Sequence, residues 1–236
     1  MVDTSISLDE AVDVTRTGDL WVFRGRSMPD RAIQLTTNSP VNHVGMAVVL
    51  DDLPPLMWHA ELGRSLPDMW SGTHQRGVQL HNLRDAVCVW ANRYGQRAWL
   101  RQLEPPAGRE LEDAVLRTIA RLDGTPFPST ARMAWRWLRG RVPDVRRTGL
   151  FGAGARDGAP VPIEPDGPAE ARRRESELET AYCAEVVAVT YEEMGLLPTG
   201  RRPNWYDPGR FWSGDDLVLA NGSRLGTEIT VEIPPR

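Results

Sequence analysis

Between residues 20 and 92 the chain carries five short apolar runs: LWVF (20 to 23), HVGMAVVL (43 to 50), LMWHAE (56 to 61), GVQLHNL (77 to 83) and AVCVWAN (86 to 92). Gly, Pro and Asp turns separate them, so each reads as a strand. Parallel pairing needs a connection of roughly a dozen residues or more, and two of the four gaps are far shorter. The expected architecture is α+β, with an antiparallel sheet or small barrel. One longer gap holds RAIQLTT at 31 to 37, which fits a short helical turn.

Helical signals flank this block. Ser7-Leu8-Asp9-Glu10 has capping-box spacing and predicts a short helix from Leu8 to about Thr15. Leu111, Ala114, Val115, Thr118, Ile119 and Leu122 follow the 3.6-residue period, and Asp123-Gly124 closes that helix. A third helix starts at the cap Thr180, runs from Ala181 to Met194 and stops at Gly195. LVLA (217 to 220), Asn221-Gly222 and TEITVEI (227 to 233) read as a hairpin. The segment from 142 to 173 is rich in Gly, Pro, Arg and Asp and has no apolar period, so a mobile insertion within a single domain of residues 1–236 is expected. ARMAWRWLRG at 131 to 140 alternates Arg with Trp. It suits either an amphipathic helix packed on the core or a peripheral contact, over 131 to 141, with an anionic membrane or a partner groove.

Composition narrows the chemistry. The 28 cationic residues are all arginine, so Schiff-base lysines, Ser/Lys dyads and phosphate-loop lysines are excluded. A net charge of −4 argues against nucleic acid as a partner. The amino-terminal stretch lacks the basic and apolar parts of a signal peptide, and the cytoplasm is the expected compartment. Two cysteines, Cys88 and Cys183, allow no four-cysteine zinc site. A deaminase-type H-x-E centre would need a downstream P-C-x-x-C that is missing, so no metal and no cofactor are expected.

Cys183 falls at the third position of its helix, where unpaired N–H groups and the positive end of the helix dipole favour a thiolate. Cys88, between Val87 and Val89, reads as core. A reactive thiol needs a base. His43 opens one strand, His59 lies in the next, and strand alternation puts His59 and Glu61 on one face with Trp58 and Ala60 on the other. A hairpin through Asp51 to Pro55 would make His43 and His59 neighbours. His74 and His81, in a turn-rich stretch and a polar strand, read as solvated.

GDLWVF, NHVGMAVV, LMWHA, GVQLHNL and AYCAEVVAVTYEEMG, in that order, resemble the circularly permuted papain-like enzymes. This is the NlpC-type branch that includes YiiX-like proteins and relatives of lecithin:retinol acyltransferase. The resemblance spans about residues 18 to 92 and 109 to 198. It implies a permuted papain-like fold with a sheet packed on a Cys-bearing helix, Cys183 as nucleophile, His43 as base and His59 or Glu61 as orienting group. It also implies a thioester intermediate and a peptide or lipid-like small substrate, cleaved or transferred at an amide or ester bond. Asn42, Ala184 and His59 depart from the family's usual residues. Those departures keep a second expectation open, a non-catalytic ligand-binding or interaction module on the same fold. Oligomeric state is not legible.

Overall fold

A computed structural model describes residues 5–25, 40–126, 182–199, 201, 203–215 and 217–235. The short helical turn at 31 to 37, the Trp/Arg stretch, the 142 to 173 insertion and the cap at Thr180 lie outside the described residues.

Ser7 accepts from the Glu10 N–H while Glu10 receives the Ser7 N–H, a complete capping box that starts α1 (Leu8–Asp13) directly after β1 (Ser5–Ser7). The Val- and Trp-rich runs then form β2 (Leu20–Arg24), β3 (His43–Leu50), β4 (Leu53–Glu61) and β5 (Gly77–Asn82). β2 through β5 pair in sequence, each antiparallel to the last, because every connection simply reverses the chain. β6 (Arg97–Arg101) returns to the free side of β2, and β9 (Ile229–Glu232) joins β6. The result is an open seven-stranded sheet in the order β1-β9-β6-β2-β3-β4-β5, parallel only where β1 meets β9. It is not a closed barrel. β7 (Leu103–Glu104) and β8 (Arg224–Leu225) form a separate small ribbon.

Two sequence expectations are corrected. AVCVWAN is helix rather than strand: α2 (Leu83–Tyr94) is capped by Asn82, whose side chain accepts the Asp85 N–H, and ends on left-handed Gly95. Leu83, Ala86, Val87 and Trp90, all buried, lie on one helical stripe, so the apolar run satisfies a helix by packing one side on the sheet. The carboxyl-terminal hairpin does not form either. Residues 217 to 220 carry no strand, and β9 pairs with β6 and β1 instead. Paired strands with a covered face outcompete an isolated two-stranded hairpin, which is marginal in water.

Both faces of the sheet are buried, by different elements. On one face Trp21, Phe23, Ala47, Met57, Ala98 and Leu100 pack with α1 and α2. On the other, Leu20, Val22, Val44, Met46, Trp58 and Ala60 pack with α3 (Arg109–Leu122) and α4 (182–193). Trp58 Nε1 donates to Thr190 Oγ1 at 3.1 Å, and Tyr191 Oη donates to the Gly18 carbonyl at 2.6 Å, which fixes α4 to the sheet. A Cys-bearing helix on an antiparallel sheet is thus present, as expected.

Gly77 ties α3 to the edge of the sheet. Its φ of +142° is glycine territory, and a Cβ there would meet the Thr125 carbonyl oxygen at 2.2 Å. Beside it the Val78 N–H donates to Thr125 O and the Gly124 N–H donates to Val78 O. Gly77→Ala is expected to cost more than ~1 kcal/mol of unfolding free energy, read as a lower urea midpoint with an unchanged slope. An unchanged midpoint would contradict the tie.

Candidate functional site: a buried chain of imidazoles

Strand pairing assembles the site. Trp58 lies opposite Met46 and Met57 opposite Ala47, and the same register sets His59 beside Gly45. On the other side of β4, His59 pairs with Gln79 and Met57 with His81. Side chains alternate along a strand, so His43, His59, Glu61 and His81 all project to the α2 face. His43 Nε2 lies 3.3 Å from His59 Nδ1, and His59 Nε2 lies 3.0 Å from His81 Nδ1. The three rings form one hydrogen-bonded file across three strands.

The file is dry. His59 and His81 are 0% exposed and His43 only 7%. Trp90 of α2 presents its ring near-perpendicular to those of His43 and His59, with centroids 4.9 Å from each, and Phe23 packs on His43. Desolvation disfavours the charged imidazolium. It pushes His43 down to about 3, with a smaller repulsion from His81. His81 is pushed down to about 4 by burial, against the opposing pull of Asp68, and His59 is held well below its usual value by burial first and its two neighbours second. All three rings are therefore neutral at pH 7, each carrying one N–H.

Neutral rings order the protons. Two hydrogen bonds in series require the N–H groups to point the same way along the file. Running from His43, Nε2–H donates to His59 and His59 Nε2–H donates to His81, leaving a lone pair on His43 Nδ1 and the last proton on His81 Nε2. Running from His81, that nitrogen keeps a bare lone pair instead. His81 Nε2 makes no well-formed hydrogen bond, although the Leu66 carbonyl is near enough to favour a proton on the ring. A carbonyl can accept and never donate, so the order starting at His43 is the better satisfied one.

Glu61 lies off the file. Ser65 Oγ donates to its carboxylate at 2.6 Å, and the Ser65 N–H lies 3.3 Å from the other oxygen. Burial pushes the Glu61 carboxyl up, and the Ser65 and Trp90 hydrogen bonds offset part of that. Asp68, 1% exposed, organises the covering loop by accepting from the N–H groups of Trp70, Ser71 and Leu80. His59, Glu61 and His81 each offer a ligand atom, and those atoms lie within 4.8 Å of one another, so these residues could hold a metal ion.

The structure brings His43, His59 and Glu61 to one face, with His59 rather than Glu61 touching His43. Cys183 is fully buried with the cluster on the other face, where Trp58 and Ala60 point, and the hydrogen-bond partner of His43 is His59 and not Cys183. Cys88 is core, on α2. His81 corrects the sequence reading: a polar strand next to an exposed turn looks solvated, yet α2 roofs that face. His74 is exposed, but its charge bears on both Glu61 and His81. What would have revealed His81 is the helical spacing of the α2 segment, since a helix there must cover the face carrying Gln79 and His81.

Stability should depend on pH in a stated direction. The unfolded chain titrates His43, His59 and His81 near ~6.5, well above their folded values, so below that pH it binds more protons and stability falls as pH falls. Each imidazole adds a slope of up to ~1.4 kcal/mol per pH unit, while Glu61, raised in the fold, opposes them with one proton. Urea midpoints measured with a chelator present should drop steadily from pH 7 to 5, and His81→Gln should shallow the slope. A flat profile would show that the imidazoles are not buried neutral.

No protein-family model matches the sequence, and no curated protein matches it. Among solved structures, a crystal structure described as metalloprotein yiiX from Escherichia coli O157:H7, DUF1105, is similar, with a TM-score of 0.44 and 19% identity over 80% of this chain and 68% of that one.

Proposed function

We propose that the chain is a thiol-dependent hydrolase or acyltransferase in which Cys183 attacks an amide or ester carbonyl and His43 takes its proton. The observation that carries this reading is the contact of His43 Nε2 with His59 Nδ1 at 3.3 Å. One ring nitrogen is held by a second polar side chain, which fixes the tautomer and frees Nδ1 as a base. The position of Cys183 near the start of α4 adds a favourable field for a thiolate. His43 is the first residue of β3, so the paired backbone separating α4 from α2 runs out there. The reading requires thiol and imidazole to meet around that end.

In this mechanism the proton of Cys183 Sγ passes to His43 Nδ1 as sulfur bonds to the carbonyl carbon. The oxyanion is met by the Cys183 backbone N–H. His43 then protonates the departing amine or alcohol, leaving an acyl-thioester. Water or an acceptor hydroxyl or amine attacks it and gives its proton to His43, and release of the product restores the thiol. Neutral His43 is in the right state to accept, and burial works against the imidazolium it must become. A peptide or lipid-like small molecule is the substrate class, and the 131 to 141 stretch is a candidate for contact with a membrane or partner.

A second reading has its own observation. Cys183 is 0% exposed within the core beneath Trp58 and Ala60, as a merely structural cysteine would be. A non-catalytic binding module would keep the fold and leave that thiol inert.

An activated acyl ester separates the two. The enzyme reading expects an acyl adduct on Cys183 by intact-mass spectrometry, retained in Cys88→Ala, lost in Cys183→Ala, and formed at least ~100-fold more slowly in His43→Ala. Absence of any adduct on the folded chain, or equal rates with and without His43, would overturn it.

A further inference from the structure

Three of the chain's four histidines stand in a single bonded file, and the fourth is in the loop beside them. The proposed acyl chemistry uses His43 and His59 and leaves His81 and Glu61 without a task. Both are expensive to keep where they are. His81 is fully buried with no well-formed hydrogen bond at Nε2 beyond the nearby Leu66 carbonyl, and Glu61 is a 4%-exposed carboxyl held by Ser65 and Trp90, with no cationic partner among its described hydrogen bonds. Such groups give up their hydration on burial and recover only part of it from these neighbours.

We propose that His59, Glu61 and His81 form a binding site for one divalent transition-metal ion of the zinc class. The ligand types suit that class: two neutral imidazoles and a carboxylate are a common set, usually with an open fourth position. The spacing also suits it. His59 Nε2 and His81 Nδ1 are 3.0 Å apart, close to the ~3.3 Å that two nitrogens ~2.0–2.1 Å from a tetrahedral ion would have. An ion there replaces the shared proton. Glu61 keeps lone pairs beyond those engaged by Ser65, since a carboxylate has about four.

The surroundings have the form of an outer shell. A metal-bound histidine characteristically donates its other N–H to a neighbour, which fixes its orientation. His43 Nε2 stands at that position for His59, and the Leu66 carbonyl lies near His81. The site needs no contribution from Cys183 but shares His59 with the proposed acyl chemistry: with an ion on Nε2, His59 Nδ1–H donates to His43 Nε2, the reverse of the order that frees His43 Nδ1 as a base, so a bound ion would block that step.

The test uses the full chain, stripped with chelator and titrated with Co²⁺ and then Zn²⁺. One equivalent of Co²⁺ should develop the visible absorption of a four- or five-coordinate site and be displaced by one equivalent of Zn²⁺. Cys183→Ala should bind unchanged. His81→Ala and the near-isosteric Glu61→Gln, checked for native circular dichroism, should each weaken binding by at least ~10-fold. The proposal is overturned if the wild-type chain shows no saturable binding, or if folded Glu61→Gln and His81→Ala bind like wild type. Loss of binding in Cys183→Ala would place the ion elsewhere and overturn it too.

Discussion

The pairing register of β3 with β4 is the constraint on which the rest depends. With Met46 opposite Trp58, every second residue of the hairpin faces α2 and the others face α4. A slip of one residue would turn His59 and Glu61 into the α4 core and bring Trp58 out under α2, breaking its bond to Thr190. Gly45 helps hold the register, because a Cβ at that position would sit 2.4 Å from Met57 Sδ and 3.4 Å from the His59 Cβ. The glycine of HVGM thus gives room for the side chains of the neighbouring strand to lean across β3.

Covering both faces changes what polar residues can do. On a sheet with one wet face, His59, Gln79 and His81 would be ordinary solvated positions. Under α2 they lose water: His59 and His81 bond ring to ring beside the Trp90 indole, and Gln79 donates its side-chain N–H groups to the Gln75 and Gly77 carbonyls. The low polarity that makes these contacts strong also holds the rings neutral. Neutral imidazoles are what both a general base and a metal ligand require, so one physical circumstance prepares the site for either task.

Much of the fold was legible because it rests on local rules. The Ser7 capping box, the apolar period of α3 and the Val- and Trp-rich strands β2 to β5 all formed where their patterns placed them. Residues 86 to 92 form a helix where a strand is expected because a short apolar run suits a buried strand and a half-buried helix alike, and only packing against β4 and β5 decides between them. The expected carboxyl-terminal hairpin had a good turn but no sheet of its own, and β9 found its partners in β6 and β1, more than two hundred residues from it in the case of β1.

By itself the sequence determined the residue inventory and its order: no lysine, two cysteines, and His43 and His59 on strands before a helix that carries Cys183. Strand alternation also sufficed to put His59 and Glu61 on a common side. Only tertiary structure decided which side that was, that His81 belongs with them, and that Cys183 packs with Trp58 and Ala60 on the opposite one. The reason is that a side chain's face follows from local geometry, whereas what covers that face, and so its hydration and charge, follows from where distant helices dock.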